Sequence, residues 1–329
     1  MKSIDFHTHI VPSHYPARPS AINEPNWPSM EKIDDSKSRM VIAGKEFRVF
    51  ESFYWNVEER IQRLEEVGVS IQVISPLPEL FSYWFAADAA EVLTDYMNEF
   101  IAGLVKTAPS RFVGMGAVAL QDPVRAVRQL ERIKALGLKG VHIASHVNGT
   151  SIADASFHPF YEAVEALGLT LFVHGYKPGG GERMLGTPLL PPIIGVPQET
   201  CMAICSLIMT DILGRFPKLK MVFSHGGGTL ASVIDRFDAV WHGFDSMRTQ
   251  LRTPPAEYAR RFYYDTVVFG HHYLAHLVRT FGASQLVAGT DGPVDFGQPP
   301  ITQFLEDAQL SAADQERIAF TNAQRLLGL

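Results

Sequence analysis

Two histidines flank a threonine near the start of the chain, in Ile4-Asp5-Phe6-His7-Thr8-His9. On an extended strand, residues i and i+2 point to one face, so both imidazoles can reach a single divalent ion. Ligand-type residues also close later apolar runs: His174 in LFVHG, His225 in MVFSHGGG and Asp291 in LVAGTDGP. Strand ends that each aim an imidazole or a carboxylate at one mouth describe a metal centre. Three imidazoles and one carboxylate form a set suited to zinc, manganese or iron, with a position left open for water or substrate.

Such a mouth needs strands that end side by side. Short apolar runs occupy 3–9, 70–76, 112–120, 140–146, 169–175, 219–227, 261–268 and 285–293. Their hydrophobicity is continuous rather than alternating, as in parallel strands covered on both faces. Helical patterns separate them. In 56–68 the apolar residues recur at Val57, Ile61, Leu64 and Val67, and Gly68 supplies a left-handed stop. In 122–137, Asp122 is the N-cap, Pro123 opens the first turn and Gly137 ends the helix. Segments 158–168 and 229–244 read alike. Strand–helix alternation repeated eight times predicts an α/β protein with a (β/α)8 TIM barrel as a single domain over 1–329. A doubly wound open sheet is the competing arrangement, because periodicity does not report closure. Segments 11–56 and 176–198, rich in Gly, Pro and polar residues, are expected as insertion loops at the carboxyl ends of the first and fifth strands, where barrel enzymes place their sites.

The composition limits the partners. The 329 residues carry 29 Lys+Arg and 35 Asp+Glu, a net charge of −6, which gives no footprint for nucleic acid or an anionic membrane surface. With 46% hydrophobic and 19% charged residues the chain has a globular composition. The chain contains no uninterrupted run of 18 apolar residues, and its first residues carry Asp5, His7 and His9 where a signal peptide needs an apolar core. A cytoplasmic protein is expected. Cys201 and Cys205, four apart in an apolar helical stretch, read as small core residues in a reducing compartment.

Taken together, HTH after an Ile-Asp-Phe strand, a strand-end histidine, SHGGG and GTDGP resemble the amidohydrolase superfamily. The likeness extends to the branch of aminocarboxymuconate semialdehyde, γ-resorcylate and 5-carboxyvanillate decarboxylases, and runs down to the closing ERIAFTNAQRLLGL. It implies a metal-dependent-hydrolase barrel in which His7, His9, His174 and Asp291 bind one divalent ion, Zn2+ first and Mn2+ second. It also implies that His225 is the catalytic acid/base beside Asp291. Arg48, in FRVFESFYWNVEERI, and Arg236, eleven residues after His225, would hold the substrate carboxylate, with Arg236 donated across a homodimer or higher oligomer. The implied reaction is decarboxylation of a small unsaturated or aromatic acid. Hydrolysis of a lactone or amide, or hydration, on the same site is the alternative.

Two positions depart from the branch: His174-Gly175-Tyr176 stands where His-Pro-Trp is usual, and Gly292 where an aromatic residue is frequent. Both border the substrate pocket. Weaker candidates for the mouth are His14, His142, His271 and His272, with His142 equally able to face outward. Asp265 is read as holding strand ends together, and Gly226, Gly227 and Gly228 as a tight turn beside His225.

Overall fold

The computed structural model describes residues 1–294 and 296–329. Eight parallel strands hydrogen-bond in chain order: β1 (Ile4–Ile10), β2 (Ile71–Pro76), β3 (Phe112–Gly116), β4 (Gly140–Ala144), β5 (Thr170–His174), β6 (Lys220–Phe223), β7 (Tyr263–Asp265) and β8 (Leu286–Val287). The chain beyond β8 then returns to β1. Phe6 donates its N–H to the Ala288 carbonyl (2.8 Å), Asp291 to His7 (2.9 Å) and His9 to Gly292 (2.8 Å). Sequential order with the last strand beside the first is the (β/α)8 barrel; an open doubly wound sheet requires a reversal of strand order, which is absent among the described residues.

The outer helices are α1 (Val57–Glu66), α2 (Ala87–Thr107), α3 (Pro123–Ala135), α4 (His158–Leu167), α5 (Val196–Met209), α6 (Leu230–Gly243), α7 (His271–Phe281) and α8 (Asn322–Leu327). Their ends follow local chemistry. The Asn56 side chain accepts the Glu58 and Glu59 amides at the start of α1, and Asp122 accepts those of Val124 and Arg125 at the start of α3. Gly168 ends α4 in the left-handed conformation. Inside and beneath the barrel, Phe6, Val73, Met115, Phe172 and Val222 form one apolar cluster with Leu326 and Leu327 of α8. The amino-terminal end is thereby closed and the carboxyl end left for chemistry.

Three expectations need correction. The run 112–120 is a strand only to Gly116, because the Asn98 side chain on α2 replaces the ladder, donating to the Ala117 carbonyl (2.9 Å) and accepting its N–H (2.7 Å). Segment 11–56 is not structureless: Ser29–Lys32, Lys37–Ile42 and Lys45–Glu51 form an antiparallel sheet turned at Ala43-Gly44, both with positive φ. Only Ser38, Met40 and Phe50 are buried along those strands, so the apolar signal was too sparse to read. Segment 176–198 likewise turns helical at Pro191 and runs into α5. The continuous helical run Pro191–Met209 is long and apolar enough to cross a membrane by length and composition, but Ile204, Leu207 and Ile208 are fully buried in the protein core.

The same helix approaches the turn after β6 closely. A Cβ on Gly228, whose φ is +64°, would lie 1.8 Å from the Pro197 carbonyl oxygen. Gly228→Ala therefore combines backbone strain with a backbone clash and should cost at least about 2 kcal/mol, read as a lowered Tm.

On the opposite wall, Glu91 of α2 pairs with Arg125 (2.6 Å) and Arg132 of α3. Burial pushes the Glu91 carboxyl up, but the two guanidinium groups outweigh it and hold it below its ordinary value. A depressed folded-state pKa stabilises the fold above the unfolded value and loses that effect as pH falls through the folded one. Glu91→Gln should thus cost about 1 kcal/mol at pH 7, with the Tm gap to the wild type closing below about pH 4.

Candidate metal centre and active site

His7 and His9 project from β1, His174 closes β5, and Asp291 follows β8, all four buried. One ligand atom from each lies within 4.8 Å of the others, the grouping of a divalent-cation site. Asp291 Oδ1 is 3.2 Å from His7 Nε2 and 3.0 Å from His9 Nε2. The outer nitrogens are all committed. His7 Nδ1 donates to Asp265 Oδ2 (2.6 Å), His9 Nδ1 to the Pro76 carbonyl (3.3 Å) and His174 Nδ1 to the Gly175 carbonyl (2.7 Å). These acceptors fix the imidazoles so that every Nε2 turns inward, the arrangement that orients histidine ligands. The donor set present therefore fits a metal.

Charge is arranged to match. Burial drives the Asp291 carboxyl upward, yet His7 and hydrogen bonds from His225, His7 and His9 hold it well below the usual carboxylate range. Burial lowers His7, but Asp291 and Asp265 outweigh it and raise it to about 10. Burial pushes His9 down and His174 well down, with neighbouring imidazoles adding to the effect on both. The centre thus holds an anionic carboxylate with one imidazole favoured charged, His7, and two favoured neutral, His9 and His174.

His225 stands at this mouth, its ring centroid 4.8 Å from that of His174 and its Nε2 3.6 Å from Asp291 Oδ2. Its Nδ1 is buried with no partner among the described residues. His225 and Asp291 both adopt positive φ, 55° and 62°, a conformation that costs a residue with a Cβ about 1–2 kcal/mol. The structure therefore over-determines the backbone at two reactive positions. Gly226 donates to Asp265 Oδ1 (2.9 Å), and the Tyr273 hydroxyl donates to the Gly228 carbonyl (3.2 Å).

The other candidates separate. Arg48 lies half-buried on the third strand of the antiparallel sheet, its guanidinium 5.3 Å from the Phe50 ring centre. Arg48 and Asp291 both act electrostatically on the Glu79 carboxyl, in opposite senses. Arg236 is exposed on α6, away from the buried ends of the strands that carry the ligands. His142 does not face outward: it is fully buried, stacked on Phe172 at 4.6 Å and 5.7 Å from the His174 ring. His14, His271 and His272 are exposed and outside the ligand set.

Two residues gain roles that the sequence did not assign to them. Glu79, in the turn Pro78–Leu80 after β2, has its carboxyl pushed up by burial. No motif marks it; only its place just past a strand end could have singled it out. Asp265 contacts a metal ligand directly, where sequence reasoning gave it a strand-end role.

Known proteins resemble this chain along its length. The amidohydrolase family model matches residues 4–329. A 2-amino-3-carboxymuconate-6-semialdehyde decarboxylase of Dictyostelium discoideum is 36% identical over 332 residues, covering 99% of this chain and 91% of that protein. The crystal structure of 5-carboxyvanillate decarboxylase from Sphingomonas paucimobilis has a TM-score of 0.72 at 29% identity, covering 82% of each chain. A dihydroxybenzoic acid decarboxylase from Polaromonas sp., crystallised with manganese and 2-nitroresorcinol, has a TM-score of 0.76 at 25% identity, covering 83% of this chain and 86% of that one. With its histidine pair, strand-end ligands and closed barrel all within the matched span, this chain belongs to the amidohydrolase family.

Proposed function

We propose that the protein is a metal-dependent carboxy-lyase that releases carbon dioxide from a small unsaturated or aromatic carboxylic acid. The observation that carries this reading is His225 Nε2, 3.6 Å from Asp291 Oδ2, beside a buried set of three imidazoles and one carboxylate. The decarboxylase names of the relatives described above favour a lyase over a hydrolase or hydratase.

The metal ligands are His7, His9, His174 and Asp291. A divalent ion held there supplies positive charge that polarises a substrate oxygen. Zn2+ is the proposed ion on the chemistry of the ligand set; the manganese of the Polaromonas structure makes Mn2+ the alternative that elemental analysis separates. His225 gives its proton to the carbon that bears the carboxylate. The C–C bond to the carboxylate then breaks, its electron pair stays with the ring or alkene, and carbon dioxide leaves. His225 regains a proton from solvent. Asp291, 3.6 Å away, holds the imidazole at the mouth.

Arg48 and Arg236 grip the substrate carboxylate through paired N–H donors. Arg236 is exposed on α6 alongside Val233 and Val240 on the same face, and Leu185, Leu189, Ile193 and Ile194 are exposed on the insertion before α5. This apolar surface supports a homodimer or higher oligomer in which a second copy contributes Arg236. The domain is one barrel over 1–329, with 11–56 and 176–198 as its insertions over the mouth. Free thiols at Cys201 and Cys205 support a cytoplasmic location.

Purified protein incubated with 2-amino-3-carboxymuconate semialdehyde or dihydroxybenzoates should release carbon dioxide. Chelation should abolish release, and added Zn2+ or Mn2+ should restore it. His225→Asn should lower kcat by at least about 100-fold at unchanged metal content; near-wild-type turnover would remove the assigned role. Mixing inactive Arg48→Ala and Arg236→Ala proteins should regain activity, because some hybrid sites draw Arg48 from the Arg236→Ala copy and Arg236 from the Arg48→Ala copy. No recovery on mixing would place each site within one chain.

A further inference from the structure

We infer that Asp265 is the positioning residue that couples the metal-ligand set to the acid/base loop. It is the last residue of β7 and fully buried. Its two oxygens face different parts of the site. Oδ2 accepts from His7 Nδ1 at 2.6 Å, while Oδ1 accepts the amides of Gly226 at 2.9 Å and Val267 at 3.0 Å.

Three donors converge on one carboxylate, and no side chain of the same shape can replace it. An amide at this position would turn an NH2 group toward either His7 Nδ1 or the two backbone amides, setting donor against donor. Facing an NH2, His7 would shift its own proton to Nε2, the atom that the metal site needs bare.

The other oxygen acts on the loop. Gly226 follows His225 directly, and His225, Gly226, Gly227 and Gly228 all have positive φ. A run of left-handed residues persists only where hydrogen bonds hold it. Here the inner anchor is Gly226 on Asp265, and the outer one is the Tyr273 hydroxyl on Gly228. Within the loop, Gly227 donates to Ser224 (3.1 Å) and Gly228 to His225 (2.8 Å). The side chain that sets the face of the ligand His7 thereby also sets the peptide that aims His225. Any movement of His7 on metal binding passes through one rigid carboxylate to the acid/base residue.

The part of this inference that concerns His225 rests on the decarboxylase reading; the part that concerns His7 does not. Asp265→Asn and Asp265→Ala are compared with wild type for metal Kd, by competition with a chromophoric chelator, and for kcat and KM at saturating metal. The expected result is metal affinity weaker by about 10- to 100-fold. At saturating metal, kcat should still fall at least about 10-fold, with KM changed less than about 3-fold, as displacement of a proton donor requires. A lower Tm with unchanged metal Kd would overturn the link to His7. Full recovery of kcat at saturating metal would overturn the link to His225. Should both variants fail to fold, amide hydrogen exchange on wild type decides: metal loading should slow exchange at Gly226, and an unchanged rate would overturn the coupling. If wild-type protein releases no carbon dioxide, the metal Kd and exchange measurements still test Asp265 separately from the proposed reaction.

Discussion

Three backbone hydrogen bonds between the two ends of the chain determine everything else in this protein. Phe6 donates to Ala288, Asp291 to His7 and His9 to Gly292. They close the barrel where β8 itself is only two residues long, and they fix the height at which Asp291 meets the histidine pair. Asp291 adopts φ of 62° there, so its carboxylate is turned to His7 and His9 by a backbone that the closure holds under strain. A barrel lacking this seam would keep its core but separate the one anionic ligand from its partners.

The site works by opposing burial with fixed charge. Burial alone would neutralise Asp291 and strip the imidazoles of protons, and it does lower His9 and His174. Around His7 the balance reverses, because two carboxylates, Asp291 and Asp265, converge on it. The polar cluster is affordable because nearly every outward-facing atom has a partner: Pro76 and Gly175 carbonyls for His9 and His174, and a carboxylate for His7. The exceptions, His142 Nε2 and His225 Nδ1, lie among the ring systems of the mouth. Below it, Phe6 and Phe172 pack edge to face at 5.6 Å and keep the floor dry.

Arg48 and Glu79 stand on different material from the metal centre. The ligands sit on strand ends, where side-chain directions are set by the barrel. Arg48 instead rides on an antiparallel sheet inserted after β1, and Glu79 on a short turn after β2. The inserted sheet is fastened by few buried residues, chiefly Met40 and Phe50.

What was legible in the sequence were features governed by local rules. The HTH pair points one way because strands alternate, and α1 and α3 begin where Asn56 and Asp122 can accept backbone amides. Eight apolar runs gave the strand count. Strand lengths were not legible, since the Asn98 side chain ends the β3 ladder from a helix distant in sequence. Nor was the inserted sheet, whose strands bury too little apolar surface to leave a pattern. The roles of His142 and Asp265 were decided only in three dimensions. A buried histidine and an outward one share the same local sequence, and a carboxylate at a strand end acquires its function from whichever donors the closed barrel brings to it. Types and spacing of residues determined which chemistry the chain could perform; closure of the barrel decided which atoms meet, because hydrogen bonds and charges act over a few ångströms of space and take no account of separation along the chain.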